Sequence, residues 1–533
     1  MIKLERFAGM VPRVSPRLLG PHQALDARNC RLVSGALEAY QQPLAVGDVT
    51  GAASSLYHYD GRSWFEWTQA VDCVRSPVNR DRFKRVYWTG QGEPKMTVAT
   101  VADSGEPPYP NHAYRLGIPA PTQAPQVALV TPAQLPPAAD PAQVESRFYV
   151  YTLVSAFGEE GPPSAPSPLI EWNETRDVEI SGLQSAVAGA FAIERVRVYR
   201  THEGQYQLVK EVPFGHERVV DEVLSQDLGE PLISMNWRMP PGDLSGLTAF
   251  ANGLVAGFRG NQVLFCEPFQ PHAWPEDYQI SVDYDIVGLG AFGNHLVILT
   301  NGFPYVISGG HPAAFSTEKI EVAQACVSKA SIVSIGHGVL YASADGLVQV
   351  SFQGTRLLTQ GLFSQREWQQ LNPASLIGVW HDQHYLAFFQ SEQRQGAFVI
   401  TPEQPDQVSF VDDVAQAVFL SMSDDALYFT RPDGPTLYRW NQGAESKTYS
   451  WHSRPFVSGH PTAYRWGRLE ADGYPITLTL LAPGQPPLHK QIHSAQPFRL
   501  GVKRPSREWR VVLEGSERIH ALVLADSVQA LQQ

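Results

Sequence analysis

Five times between residues 244 and 443 the chain makes a tight turn and then an apolar strand. The five read Gly260-Asn-Gln-Val-Leu-Phe265, Gly293-Asn-His-Leu-Val-Ile298, Gly336-His-Gly-Val-Leu-Tyr341, Asp382-Gln-His-Tyr-Leu-Ala387 and Asp424-Asp-Ala-Leu-Tyr-Phe429. Most are answered across a second turn: Gly302 precedes Pro304-Tyr-Val-Ile307, Asp345-Gly346 precedes Leu347-Val-Gln-Val350, Gly396 precedes Ala397-Phe-Val-Ile400, and Asp433-Gly434 precedes Thr436-Leu-Tyr438. The repeat returns every 33 to 46 residues or so, close to the roughly 40–50 residues of a four-stranded propeller blade. A lone blade cannot bury both faces, whereas blades in a ring cover one another, so such a repeat has to continue. Composition agrees: 24 Phe, 20 Tyr and 12 Trp favour strands, and 43 Gly and 42 Pro supply turns. The expected fold class is mainly β, with a propeller of about six blades as its largest part.

The rest of the chain divides around that repeat. Residues 1–47, broken by Pro12 and Pro16, read as an extended N-terminal arm that docks on something larger, with one helical turn over Leu25 to Cys30 and a reversal at Ser34-Gly35. Residues 48–103 hold hairpins. Ser55-Leu-Tyr-His-Tyr59 turns at Asp60-Gly61 into Ser63-Trp-Phe-Glu-Trp67, and Arg85-Val-Tyr-Trp88 precedes Pro94-Lys-Met-Thr-Val98. These are expected to supply one blade, which splits the propeller in sequence. Residues 104–145 carry Glu106-Pro-Pro-Tyr-Pro110, Pro119-Ala-Pro121 and Pro136-Pro137 and read as a Pro-rich linker. Residues 146–240 hold Arg147-Phe-Tyr-Val-Tyr-Thr-Leu-Val154, the loop Gly158-Glu-Glu-Gly-Pro-Pro-Ser164 and Arg195-Val-Arg-Val-Tyr-Arg200, with Val196 and Val198 inward. That pattern resembles a fibronectin III-like β-sandwich; another small sandwich fits it equally. Blades follow over 241–447, and 448–533 read as a C-terminal β-sandwich.

Charge and motifs bound the chemistry. The formal net charge is −12, the opposite of a chain that grips nucleic acid by its phosphates. Four cysteines, at 30, 73, 266 and 326, include no CxxC pair and read as buried thiols. The N-terminus lacks the apolar stretch of a secretion signal, and no apolar run is long enough for a membrane span. No P-loop, GxSxG elbow or HExxH helix occurs. His381-Asp-Gln-His384 comes nearest to a metal cluster, but on one strand residues three apart face opposite sides. Ser343-Ala-Asp-Gly346 is similar to the Asp-box of sialidase-type propellers, yet no Trp follows at the expected spacing, and the stretch reads as a type I′ hairpin turn. Trp64, Trp67, Trp88, Trp380, Trp440, Trp451 and Trp466 lie in alternating runs and read as packing rather than sugar platforms. The expectation is therefore no catalytic, cofactor-binding or metal residues, no cofactor and no enzyme activity.

The two ends carry a resemblance. Phe7-x-Gly9-x-x-Pro12-Arg13-x-x-Pro16-Arg17-Leu18-Leu19, then Ala24-x-x-Ala27-x-Asn29-Cys30-x-Leu32-x-Ser34-Gly35-x-Leu37, open the chain. Tyr449-x-Trp451-x-Ser453-x-x-Phe456, Pro497-Phe498-Arg499-Leu500 and Glu508-Trp509 lie near its end. With a propeller between them, the chain resembles the tail nozzle, or tail tubular, proteins of short-tailed bacteriophages. The resemblance covers about half the chain and marks a virion protein better than a position in the tail. It implies a homohexameric ring below a portal-proximal tail adaptor, a lumen that conducts genome DNA without specific binding, and a gate. Tail fibres are a further implied partner, and the implied location is the virion tail, assembled in the host cytoplasm. The loops Gly302-Phe-Pro304 and Gly309-Gly-His-Pro312 are expected either to gate or simply to connect strands. Two other readings stay open: a carbohydrate-binding or glycan-cleaving propeller, and a head–tail connector or stopper component.

Overall fold

In the computed structural model, which describes residues 1–132, 142 and 144–532, strands dominate. The only α-helix among the described residues is the short Gln365–Gln370. Two compact units form: residues 1–68, 297–305 and 319–533 make the first, and 69–296 and 306–318 the second. The sequence pair Pro136-Pro137 falls outside the described residues.

The first unit contains four-stranded antiparallel sheets of blade type. One runs Val333–Ile335, Gly338–Ala342, Leu347–Ser351 and Gly354–Leu357; the next runs Ile377–His381, His384–Gln390, Gln395–Ile400 and Ser409–Val411. The third takes three strands from Ala417–Ser421, Ala426–Thr430 and Thr436–Arg439, and its fourth from the far end of the sequence, Leu44–Asp48. The register sets Leu437 opposite Gly47 and Arg439 opposite Leu44. The hairpin Ser55–Tyr59 and Ser63–Trp67 packs on this sheet through Leu56, Ala417 and Leu437. Asp60 and Gly61 take the positive φ angles the turn demands, 49° and 69°.

Residues 1–47 are therefore not an arm that leaves the chain, which corrects the sequence expectation. Ile2–Leu4 pairs with Ile519–Ala525. Ala24–Arg28 is a strand rather than a helical turn, because Tyr449–Ser453 offers it an antiparallel ladder and Phe410 a parallel bridge at Arg28; tertiary pairing outweighs a short stretch's local preference. This strand joins the second blade to the C-terminal domain in one ten-stranded sheet. The C-terminal domain is a sandwich. One face holds Tyr449–Ser453, Ser506–Gly515, Ile476–Leu481 and Leu488–Ile492; the other holds Ile2–Leu4, Ile519–Ala525, Trp466–Ala471 and Phe498–Arg499. Between them lies one core containing Leu4, Phe7, Ala27, Trp451, Leu478, Leu513 and Leu522.

In the second unit, Asp72–Arg75, Val86–Thr89, Lys95–Thr97 and Tyr114–Arg115 make one blade-type sheet, and Ser245–Ala249, Val255–Arg259, Gln262–Phe265 and Gln279–Ser281 another. They share a core of Val74, Tyr87, Leu247 and Leu264. Two expectations change here. The hairpins of 48–103 do not make one blade: the first packs in unit 1, and the second needs Tyr114–Arg115 to complete its sheet. The 104–145 stretch is likewise not all linker, since Gln126–Val130 pairs with Asp177–Ser181. Short alternating runs between prolines still pair where a partner edge is free. The inserted sandwich sets Gln126–Val130, Asp177–Ser181 and Arg218–Asp221 against Tyr149–Ser155, Ile193–His202 and Gln205–Pro213. Val196 and Val198 face its core, fully buried.

The loop after Tyr149–Ser155 is a docking element. Glu159 is buried, and its carboxylate lies 2.7 Å from Arg85 Nη1 of the neighbouring sheet, whose Nε is held by Asp81 at 2.7 Å. Close by, buried His272 packs edge-on against Trp237. Burial pushes the His272 imidazole's pKa down and Arg85 adds to this, while the Glu159 charge and the Glu160 backbone pull the other way.

Two outcomes follow from this packing. Trp451→Ala removes the ring that Phe7 meets edge-on at 5.1 Å and should cost about 3–5 kcal/mol in denaturant unfolding. His272 must gain a proton on unfolding below its free pKa of about 6.5, so it is neutral in both states above that pH and works against the folded state below it. The melting temperature should fall by a few degrees between about pH 7.5 and 5.5, at roughly 2–4 °C per kcal/mol. In His272→Phe that difference should shrink.

Candidate functional site

The stretch His381-Asp-Gln-His384 is a hairpin, not a single strand. Asp382 and Gln383 both take positive φ, 50° and 62°, and His381 stands directly opposite His384. Cross-strand partners share a face, so the two imidazoles project to the same side, contrary to the expectation from strand periodicity. His384 Nδ1 donates to the Asp382 carbonyl. His381 is pushed down by burial, against the charges of Asp425 and Asp382. Among the described residues no group of three or more His, Cys, Asp or Glu side chains is placed to hold a metal ion.

Ser343-Ala-Asp-Gly346 also differs from expectation. Ala342 pairs with Leu347, so all four residues form the loop, one too long for a type I′ turn. The Ser343 hydroxyl donates to Gly346 O at 2.9 Å and accepts from the Gly346 and Asp345 amides at 3.3 Å. A tryptophan does reach this loop, though not at the spacing that sequence could detect. Trp368, on the Gln365–Gln370 helix, donates its indole N–H to Ser343 O at 2.9 Å. Asp345 accepts from Gln324 and Gln365. Ser343 and Gly346 are the buried side of this corner, and Ala344 and Asp345 are exposed.

The two loops singled out for gating are hydrogen-bonded connections. Thr300 Oγ1 donates to Phe303 O at 2.7 Å and accepts from the Gly302 amide at 3.0 Å. His311 accepts from the Ala313 amide through Nδ1, while its Nε2 lies 3.3 Å from the Tyr278 hydroxyl. Of the seven tryptophans, Trp67, Trp88, Trp440 and Trp451 are buried. Trp64 stacks on His58 at 4.4 Å, and Trp466 carries Arg499 over its face at 4.9 Å. All four thiols are free, and burial pushes those of Cys266 and Cys326 up to about 12.

Two polar clefts flank the place where the ends of the chain meet in unit 1. One, of about 690 Å³, is lined by Arg6, Tyr40, His384, Gln407, Arg518 and His520 among others. The other, of about 710 Å³, is built on Asp413. Asp413 is 2% exposed, with Lys447 Nζ at 2.9 Å and Arg431 Nη2 at 3.2 Å. Beside it, the Asn29 amide donates to Asp412 at 2.7 Å and its oxygen accepts the Asp412 N–H at 3.1 Å. Asp413 follows the second blade and Lys447 precedes the C-terminal sandwich, so their ion pair closes the junction between them. With two cations held against it, this carboxylate ties the junction together. A carboxyl that is pushed up, as an acid catalyst needs, is Asp177 of the inserted sandwich. Burial is the main cause, then Glu222 and Asp221, and Asp177 lines a shallow groove with Glu222, Lys210 and His216. Sequence reading passed over both Asp413 and Asp177, because burial and neighbouring charge, not spacing, set them apart.

No protein-family model and no curated protein matches the chain. Solved structures similar to it include BBS1N in complex with ARL6DN, at 12% identity and TM-score 0.27, covering 52% of this chain and 88% of that one. The beta-propeller domain of Myceliophteria thermophila Cps50 (Swd1) has 11% identity and TM-score 0.25, covering 52% and 98%. Kluyvelomyces marxianus Hsv2 has 10% identity and TM-score 0.25, covering 61% and 95%. Scores this low carry no argument, and the blade pattern rests on the strand order of this chain.

The Asp413 junction makes a specific expectation. Asp413→Ala strands buried Lys447 and should cost about 3–5 kcal/mol in urea unfolding, whereas Asp413→Asn combined with Lys447→Met should recover most of that loss.

Proposed function

We propose that this protein is a structural component of a bacteriophage tail, in the nozzle position, where a ring of identical chains conducts genome DNA during ejection. One observation carries the reading. The segments that bear the family resemblance lie at opposite ends of the sequence, yet they build a single core. Phe7, Ala24, Ala27, Cys30 and Leu37 pack with Tyr449, Trp451, Leu500 and Trp509, with Leu32, Phe456 and Phe498 at its border. Trp451 Nε1 donates to Ala8 O at 3.1 Å. The motif residues thus form one folded module.

The charge supports the same reading. A net −12 suits a surface past which DNA slides without sticking. A ring closes when a head-to-tail interface repeats through a rotation that returns to its start. Partners in this reading are further copies of the chain, a portal-proximal adaptor and tail fibres. A glycan-binding or glycan-cleaving role has Asp177 and Glu222 in its favour, but these lie on the inserted sandwich rather than on a blade.

Negative-stain imaging of the purified protein, and of tails that contain it, should show rings with an axial channel. A monodisperse monomer that hydrolyses surface glycans would overturn the tail assignment.

A further inference from the structure

The C-terminal sandwich has an open end. Its floor is made of core-facing side chains: Leu480 pairs across the sheet with Leu488 on one side and Val511 on the other, and Trp509 follows on the same strand as Val511. Two loops make its walls, one with Ala482, Gln485, Pro486 and Pro487, the other with Gly501, Val502, Lys503 and Arg504. The cavity is about 420 Å³, within the roughly 300–1,000 Å³ range of ligand sites. Trp509 is 3% exposed, and its N–H is spent on Thr462 O and Ser506 O, so it offers an apolar wall rather than a stacking platform.

The rim is cationic without compensation. Lys503 and Arg504 are exposed, and no carboxylate lines the cavity. Among the described residues neither forms an ion pair, and the same is true of Lys490, Arg507 and Arg510. The nearby Glu508 is taken by Arg17 at 2.9 Å. Residues 448–533 hold ten Lys and Arg against six Asp and Glu, a net +4 in a chain of net −12. Unpaired cations around a largely apolar mouth call for an anionic partner with an apolar tip. A single nucleic acid strand stacks its bases on exposed aromatic faces, and this mouth exposes none.

We propose that the open end of the C-terminal sandwich binds an acidic peptide segment of a partner protein, which inserts a bulky apolar side chain against Leu480, Leu488 and Trp509 while flanking carboxylates pair with Lys503 and Arg504. This inference does not depend on the tail assignment. Gly501 provides a clean test, since a Cβ built there meets only Leu488 Cδ1 at 3.9 Å, leaving room for a larger side chain to fill the mouth.

The probe is a fluorescein-labelled peptide with a Leu-Phe pair between two Asp-Glu runs, titrated with the full chain by fluorescence anisotropy. Saturable binding is expected, weakened roughly tenfold or more, about 1.4 kcal/mol per factor of ten, in three cases: Lys503→Glu with Arg504→Glu, Gly501→Leu, and a control peptide with Ser-Gly in place of Leu-Phe. Thermal melts of both variants should match the parent chain. Equal binding of the Ser-Gly peptide would reduce the site to a diffuse cationic patch and overturn the proposal. So would undiminished binding to Gly501→Leu, no saturation by the Leu-Phe peptide, or binding to anionic phosphatidylglycerol vesicles that the peptide fails to displace.

Discussion

The strand Ala24–Arg28 is the seam on which the first unit depends. It lies between Ser409–Val411, the last strand of a blade, and Tyr449–Ser453, the first of the C-terminal sandwich. Without it the ten-stranded sheet would break in two, and each part would expose an edge with unpaired backbone groups. Residues on either side are committed as well: Ile2–Leu4 lies in the sandwich's second sheet, and Leu44–Asp48 completes a blade. Three contributions from one short segment tie together strands that are hundreds of residues apart. Such closure delays part of the core until the C-terminus is present, because long-range pairing must first offset loop-closure entropy.

Buried charge plays a consistent part. Asp413 with Lys447, Glu159 with Arg85, and Asp221 with Arg200 each place an ion pair where elements meet. A buried pair adds little net stability over a well-packed apolar contact, but a mismatched partner strands a charge. In a chain made of many similar strands, such pairs distinguish the right neighbour from the wrong one. The same need explains why Glu159 and Glu160, which look like solvent residues of a Gly/Pro-rich loop, are buried: Glu160 accepts from the Thr152 and Tyr199 hydroxyls at 2.6 and 2.7 Å.

The chemistry-bearing motifs all resolve into architecture. The histidine pair flanks a turn, the Asp-box-like loop is cross-braced by Trp368, and the glycine-proline loops are closed by their own hydrogen bonds. What remains unspent is surface: the cationic mouth of the terminal sandwich stands out because its charges have no internal partner. The buried ion pairs, by contrast, join strands and loops within the fold.

Much of this was written in the residues. The turn-and-strand repeat, the Asp60-Gly61 hairpin, and the inward Val196 and Val198 follow from period and turn chemistry, which are local and therefore legible. The fate of residues 1–47 was not, because whether Ala24–Arg28 becomes a strand depends on an edge supplied by Tyr449–Ser453. The same limit hid the face shared by His381 and His384, the Trp368 brace and the Asp413 junction, each set by partners far away in sequence. The chain alone determined a mainly β protein built of hairpins. Only the tertiary structure decided that its ends form one core and which charges are left exposed, since hydrogen-bond ladders and burial join residues that no local pattern connects.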